Sequence, residues 1–142
     1  MNTTIKEKLY VINGVNHISP KDAYSIRFED VLFVDIRESD FFAYKKIDVP
    51  NTVFIEFDEI ISRFEELPKD KLIIIVDSSG NKSRIIVEKA VELGYANFIN
   101  LIGGVLEWDK DKMPLIVNLD EELHGQCACR LSPQRKIRNK LR

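Results

Sequence analysis

The chain has 142 residues, 44% hydrophobic and 31% charged, enough for one domain with a real core and too few for two ordinary ones. Its longest apolar run, Leu72 to Val76, falls far short of the about 20 residues of a membrane span, and Met1 to Tyr10 holds no apolar signal-like stretch. The net charge of −2 is unevenly placed: residues 130–142 hold six basic groups and no acid, leaving 15 basic against 23 acidic groups in residues 1–129. Only two cysteines occur, Cys127 and Cys129, too close in sequence for an unstrained disulfide. These features lead us to expect an intracellular, by default cytoplasmic, protein with no membrane contact.

Leu9 to Ile12 reads as a short strand ended by the turn signal Asn13-Gly14. Ser19 as N-cap, Pro20 in the first turn and Asp22 at the positive end of the dipole start a helix to about Arg27. Val31 to Asp35 is a buried strand by its continuous apolar character. Glu38 to Tyr44 reads as a short helix or turn. Pro50-Asn51 is a loop and Thr52 to Ile55 a short strand. Glu59 to Glu66 is helical, with Ile60, Ile61 and Phe64 on one face, and Pro68 stops it. Leu72 to Val76 is a strand with both faces covered.

Ser78 to Asn81 forms a polar loop. Lys82 to Leu93 follows as an amphipathic helix with Ile85, Ile86, Ala90 and Leu93 inward and Gly94 as its cap. Phe98 to Leu101 is a further strand. Gly103-Gly104 turns into a helix holding Leu106 and Trp108, and Pro114 closes the body. Strands alternating with helices, through connections too long for hairpins, imply βαβ units and a parallel sheet. Ligands of such sheets sit beyond the carboxyl ends of the strands. That singles out the loops after Asp35, Val76 and Leu101.

These three loops carry a resemblance to the rhodanese family. Val34-Asp35-Ile36-Arg37-Glu38 resembles its V-D-V-R-E segment, Asp77-Ser78-Ser79-Gly80-Asn81-Lys82-Ser83 its active loop C-R-S-G-N-R-S, and Leu101 to Trp108 its L-x-G-G-x-x-x-W segment. The family's G-H-I-P-G-A is only faint, at Ile47 to Thr52. Order and spacing agree over about residues 18–116. The resemblance implies an α/β fold with a mostly parallel central sheet, helices on both faces, and thiosulfate sulfurtransferase ancestry. The expected division is a rhodanese-like domain at 1–116 and a Cys/His-containing basic tail at 117–142.

The resemblance also places Asp77 at the family's nucleophilic cysteine and Lys82 at a usual arginine. The loop spacing is that of the sulfurtransferases, one residue shorter than in the related phosphatases. Sulfur transfer needs a thiolate that can hold a persulfide, and a carboxylate cannot do this. The expected anion-binding loop is Asp77, Ser78, Ser79, Gly80, Asn81, Lys82 and Ser83, with Arg37 reaching its mouth or pairing with Glu38 or Asp40. Asp77 itself is expected to accept loop N–H bonds at the helix start.

The tail holds His124, Cys127 and Cys129, soft or borderline donors for zinc or another soft metal, one ligand short of a closed tetrahedral site. No other cofactor is expected. The 13 residues from Pro114 to Cys127 can span at most about 43 Å, so a tail thiol can also reach the loop. The basic residues 130–142 are expected to be solvated, not a nucleic-acid contact. The preferred reading is a catalytically inactive module that binds a protein partner or a small sulfur-containing anion. The alternatives are sulfur relay or redox chemistry through Cys127 and Cys129, and a metal-binding tail.

Overall fold

The computed structural model describes residues 3–121. A short helix, α1 (Thr3–Glu7), leads into β1 (Tyr10–Ile12) and β2 (Val15–Ile18), which pair antiparallel. Asn13 and Gly14 both take positive φ, 52° and 78°, the left-handed pair of a two-residue hairpin turn. This corrects the expectation that every connection is too long for a hairpin. The return strand, Val15-Asn16-His17-Ile18, escapes a sequence reading because two of its four residues are polar. The five residues of α1 are too few to show a helical period.

The next elements follow the expected order. Helix α2 (Pro20–Ser25) is capped by Ser19, whose side chain accepts from the Asp22 N–H at 3.2 Å, and it ends two residues before Arg27. Then come β3 (Val31–Asp35), α3 (Ser39–Tyr44), β4 (Lys45–Ile47), β5 (Thr52–Phe54) and α4 (Phe57–Ile60), which tightens into a 3₁₀ turn over Ile61–Glu66. Strand β6 (Leu72–Val76) is buried at all five positions. It is followed by α5 (Asn81–Glu92), β7 (Phe98–Leu101), α6 (Gly104–Lys110) and β8 (Leu115–Val117), and then by a 3₁₀ turn, Leu119–Glu121.

Six strands form the main sheet in the order β1-β2-β7-β6-β3-β5, parallel everywhere except at β1–β2. Successive residues of β6 point to opposite faces. Ile74 and Val76 join Phe33, Leu101 and Trp108 on the face covered by α2 and α6. Ile73 and Ile75 join Val34, Phe64, Ile86 and Phe98 on the face covered by α4 and α5. A second, two-stranded sheet pairs β4 with β8, so strand pairing runs through Val117, one residue past the expected boundary at 116. No helix among the described residues is long and apolar enough to cross a membrane.

Two helical faces differ from the expected ones. In α5 the buried stripe is Ser83, Ile86, Val87 and Ala90, whereas Ile85 and Leu93 are exposed. The stripe keeps the i, i+3, i+4, i+7 spacing, but Ser83, a polar residue, holds its first position. Ile61 is also exposed, whereas Ile60 and Phe64, four residues apart, are both buried.

Candidate functional site

The parallel register sets Asp35 beside Val76, so the loops after β3 and β6 emerge together at the carboxyl edge of the sheet. Asp77 is the first residue beyond β6 and is buried. Its Oδ2 accepts the backbone N–H groups of Lys82 at 2.7 Å and Ser83 at 3.2 Å. Its Oδ1 accepts the Gly80 N–H and lies 3.3 Å from the Ser83 Oγ. Helix α5 leaves its first N–H groups without partners inside the helix, and a carboxylate at that end answers both the hydrogen-bond demand and the dipole. The expected self-cradling of Asp77 is therefore what the loop contains.

The third loop closes this cradle from the other side. The N–H groups of Val105 and Leu106, in the first turn of α6, donate to the carbonyls of Asp77 and Ser78 at 2.8 and 3.0 Å. Gly80 sits at φ +92°, and a Cβ there would lie 2.8 Å from the Gly103 nitrogen. Gly104 sits at φ +60°, and a Cβ there would lie 2.6 Å from the Ser78 carbonyl carbon. The two glycines thus let three backbone segments meet where no side chain fits.

Arg37 is buried and pairs with neither Glu38 nor Asp40. Its Nε and Nη2 donate to both Asp35 oxygens, at 3.0, 3.2 and 2.8 Å, and Nη2 also donates to the Lys45 carbonyl at 2.6 Å. Asp35 in turn accepts the Arg37 N–H at 3.1 Å. Arg37 therefore acts as a strut between β3 and β4. Lys82 is exposed, with its Nζ 5.2 Å from the centre of the Phe57 ring.

A cavity of about 410 Å³ opens between the Asp77 loop and the segments around Arg37 and Phe57. Ser78, Ser79, Asn81, Lys82 and Arg37 line it together with Asp77, so most of the expected loop set converges there. Gly80 lines a separate groove, and Ser83 is buried against Asn100. Three carboxylates outside the expected loop set, Glu38, Glu56 and Asp58, also line the cavity. No cation among the described residues lies within ion-pair distance of them. The only cations on this wall are Lys82 and Arg37, and Arg37 is already paired with Asp35. The cavity is acidic.

Behind the loop lies a polar line that sequence reasoning left outside the site. Ser83 Oγ donates to Asn100 Oδ1, and Asn100 Nδ2 lies 3.0 Å from His17 Nδ1. All three residues are buried. Burial and the nearby Arg84 hold the His17 pKa below its ordinary 6.5, and Glu88 partly opposes them. The available signal was Asn100 itself, an amide inside the apolar run Phe98-Ile99-Asn100-Leu101. His124, Cys127 and Cys129 lie outside the described residues, so the expected tail site has no geometry. Among the described residues no three His, Cys, Asp or Glu side chains are placed to hold a metal ion.

An open α/β sheet, parallel in its core, with an anion-cradling strand-to-helix loop at its carboxyl edge, defines the class of this domain. The rhodanese-like domain model matches residues 19–111, and the chain belongs to that family. Over 88 residues it is 33% identical to a sulfurtransferase of Allochromatium vinosum, covering 62% of this chain and 80% of that one. Over 99 residues it is 32% identical to the thiosulfate sulfurtransferase GlpE of Haemophilus influenzae, covering 69% and 91%. The crystal structure of a rhodanese-related protein from Thermoplasma volcanium superposes with a TM-score of 0.64 at 24% identity, covering 72% of this chain and 98% of that one.

Proposed function

We propose that this domain is a catalytically inactive rhodanese-like module that works by protein interaction. The observation that carries this reading is Asp77, whose carboxylate takes the Gly80, Lys82 and Ser83 N–H groups. In the family pattern this position belongs to the nucleophilic cysteine. A carboxylate oxygen forms no persulfide, and here the carboxylate also takes three of the N–H groups that would hold an incoming anion. Binding of a small sulfur oxyanion, the other form of the expectation, has less support. Three of the loop N–H groups are taken by Asp77, and Glu38, Glu56 and Asp58 set negative charge around the entrance. A protein surface offering basic side chains suits this cavity better.

A second reading draws on the relatives, two of which are named sulfurtransferases at 32–33% identity. In it, sulfur moves through Cys127 or Cys129 and the loop serves only as a platform. One experiment separates the two. The purified, reduced full chain is incubated with thiosulfate and then cyanide, with thiocyanate measured in solution and persulfide located by mass spectrometry. The expected result is no persulfide and no thiocyanate above the blank for wild type, and persulfide on the introduced thiol in Asp77→Cys. Thiocyanate turnover with persulfide on Cys127 or Cys129 would overturn the inactive-module reading.

A further inference from the structure

Four buried polar groups form an unbroken line behind the loop. Asp77 follows β6, Ser83 lies in the first turn of α5, Asn100 sits on β7, and His17 stands beside Asn100 in the parallel register of β2 and β7. Ser83 Oγ contacts Asp77 Oδ1 at 3.3 Å and, more closely, Asn100 Oδ1. The Asn100 Nδ2 meets His17 Nδ1 at 3.0 Å.

Counting protons fixes the roles. Ser83 has one hydroxyl hydrogen and two acceptors, and its closer contact is Asn100. The Asn100 oxygen is then an acceptor and its NH₂ a donor, so His17 Nδ1 accepts. A neutral imidazole that accepts at Nδ1 carries its hydrogen on Nε2. A second arrangement satisfies the same atoms. An imidazolium donates from Nδ1, so the Asn100 amide turns over and offers its oxygen to His17. Its NH₂ then donates to Ser83 Oγ, which is left to give its hydrogen to Asp77. An asparagine amide has nearly the same shape either way round, so the turn costs little packing. The two arrangements differ by one proton, at His17.

We propose that His17, Asn100 and Ser83 form a proton-operated switch on the loop: a solvent proton taken by His17 Nδ1 turns the Asn100 amide and moves the Ser83 hydroxyl hydrogen bond from Asn100 to Asp77. Solvent reaches His17 through an open groove on the side of the loop opposite the acidic cavity, lined in part by Tyr10, Arg84 and Ile102. The groups around His17 are few. Helix α5 presents Arg84 and Glu88, of opposite sign, and strand β1 places Tyr10 opposite it in register. Strand β7 offers the uncharged Asn100, and Asp77 closes the far end of the line. The lowered pKa of His17 keeps the imidazole neutral at neutral pH and places the switching range below the ordinary 6.5. Below it, Asp77 gains a fourth committed donor. Above it, the Ser83 hydroxyl belongs to Asn100, and Asp77 is left with the three loop N–H groups. The switch stands whether or not position 77 is chemically inert, because it rests on the hydrogen-bond line alone.

Nuclear magnetic resonance on the isotope-labelled full chain tests it. The imidazole nitrogens report the protonation and tautomer of His17, and the Gly80, Lys82 and Ser83 amides report the loop. We expect the Nε2–H tautomer at neutral pH and loop amides that shift with the same midpoint as His17. In Ser83→Ala, His17 still titrates and the loop no longer follows it. In His17→Gln, the loop loses this pH-dependent step altogether, which supplies an independent reading if Ser83→Ala does not fold. An Nδ1–H tautomer, loop amides that stay flat while His17 titrates, or a loop that still follows His17 in Ser83→Ala would each overturn the switch.

Discussion

Asp77 shows how one side chain can serve three N–H groups of a loop at once. Hydrogen bonds to a charged acceptor contribute about 1.5–3 kcal/mol each, and a buried donor left without a partner costs about 1–3 kcal/mol. Asp77→Asn keeps one carbonyl oxygen but turns an NH₂ group toward a loop N–H, so we expect a loss of about 1–3 kcal/mol in urea unfolding. Asp77→Ala strips the acceptor from Gly80, Lys82 and Ser83 together. It should lose more stability than Asp77→Asn in chloride buffer and regain part of it when sulfate is added, because the vacated cradle again suits an anion. A wild type that gains as much from sulfate as Asp77→Ala would show that the carboxylate does not fill the cradle. The role of Asp77 was legible in the sequence because it needs only a buried strand, a turn and a helix start in succession. The partner of Arg37 was not. Glu38 and Asp40 are neighbours on the chain, but both are exposed, whereas Asp35 is fully buried beside it and has no other cation among the described residues.

At the scale of elements, the site is made by backbone segments that approach more closely than side chains allow. Gly104 is the tightest point, since a Cβ at φ +60° would run into the Asp77 carbonyl oxygen and the Ser78 carbonyl carbon. Forcing a left-handed residue costs about 1–3 kcal/mol and overpacking about 1–3 kcal/mol more. Gly104→Ala should therefore lower stability by about 2–6 kcal/mol and move the Ser78 and Leu106 amide resonances. Gly14→Ala is the control: it is equally left-handed at φ +78° but has no atom within 4 Å of an added Cβ, so it should cost only about 1 kcal/mol. Equal losses in thermal unfolding would remove the close approach as the reason for Gly104. The elements that the sequence revealed are those with a strong local signal: the apolar runs of β3, β6 and β7, the Ser19-Pro20 helix start, and the paired glycines at the start of α6. The elements it hid draw their stability from distant pairing. Lys45-Lys46-Ile47 reads as a polar stretch, yet it is a strand because Leu115-Ile116-Val117 returns beside it some 70 residues later. The Asn13-Gly14 signal was recognised as a turn, but the strand beyond it was obscured by Asn16 and His17. His17 is polar because it meets Asn100 across β2 and β7, a contact set by the sheet order.

For the whole molecule, one sheet carries two cores, and the site sits where both end. Trp108, the only tryptophan, is fully buried on the α2–α6 face, edge-on to Tyr24 at 6.0 Å and donating from Nε1 to the Pro114 carbonyl at 2.7 Å. Phe64 lies on the opposite face, edge-on to Phe98 at 4.8 Å and to Tyr95 at 5.5 Å. Each core borrows alternate residues of β6, so neither can loosen without moving the strand that holds up the other. Removing a buried aromatic ring costs about 3–5 kcal/mol. Phe64→Ala should therefore shift unfolding on both faces at once, with Trp108 fluorescence and far-ultraviolet circular dichroism keeping a common midpoint that falls by the equivalent of about 3–5 kcal/mol. A tryptophan transition left in place while the dichroism transition moves would mean two cores that melt separately. A common transition means that the loop bearing Asp77, which is bonded to α5 on one face and α6 on the other, keeps its geometry only while both faces are intact.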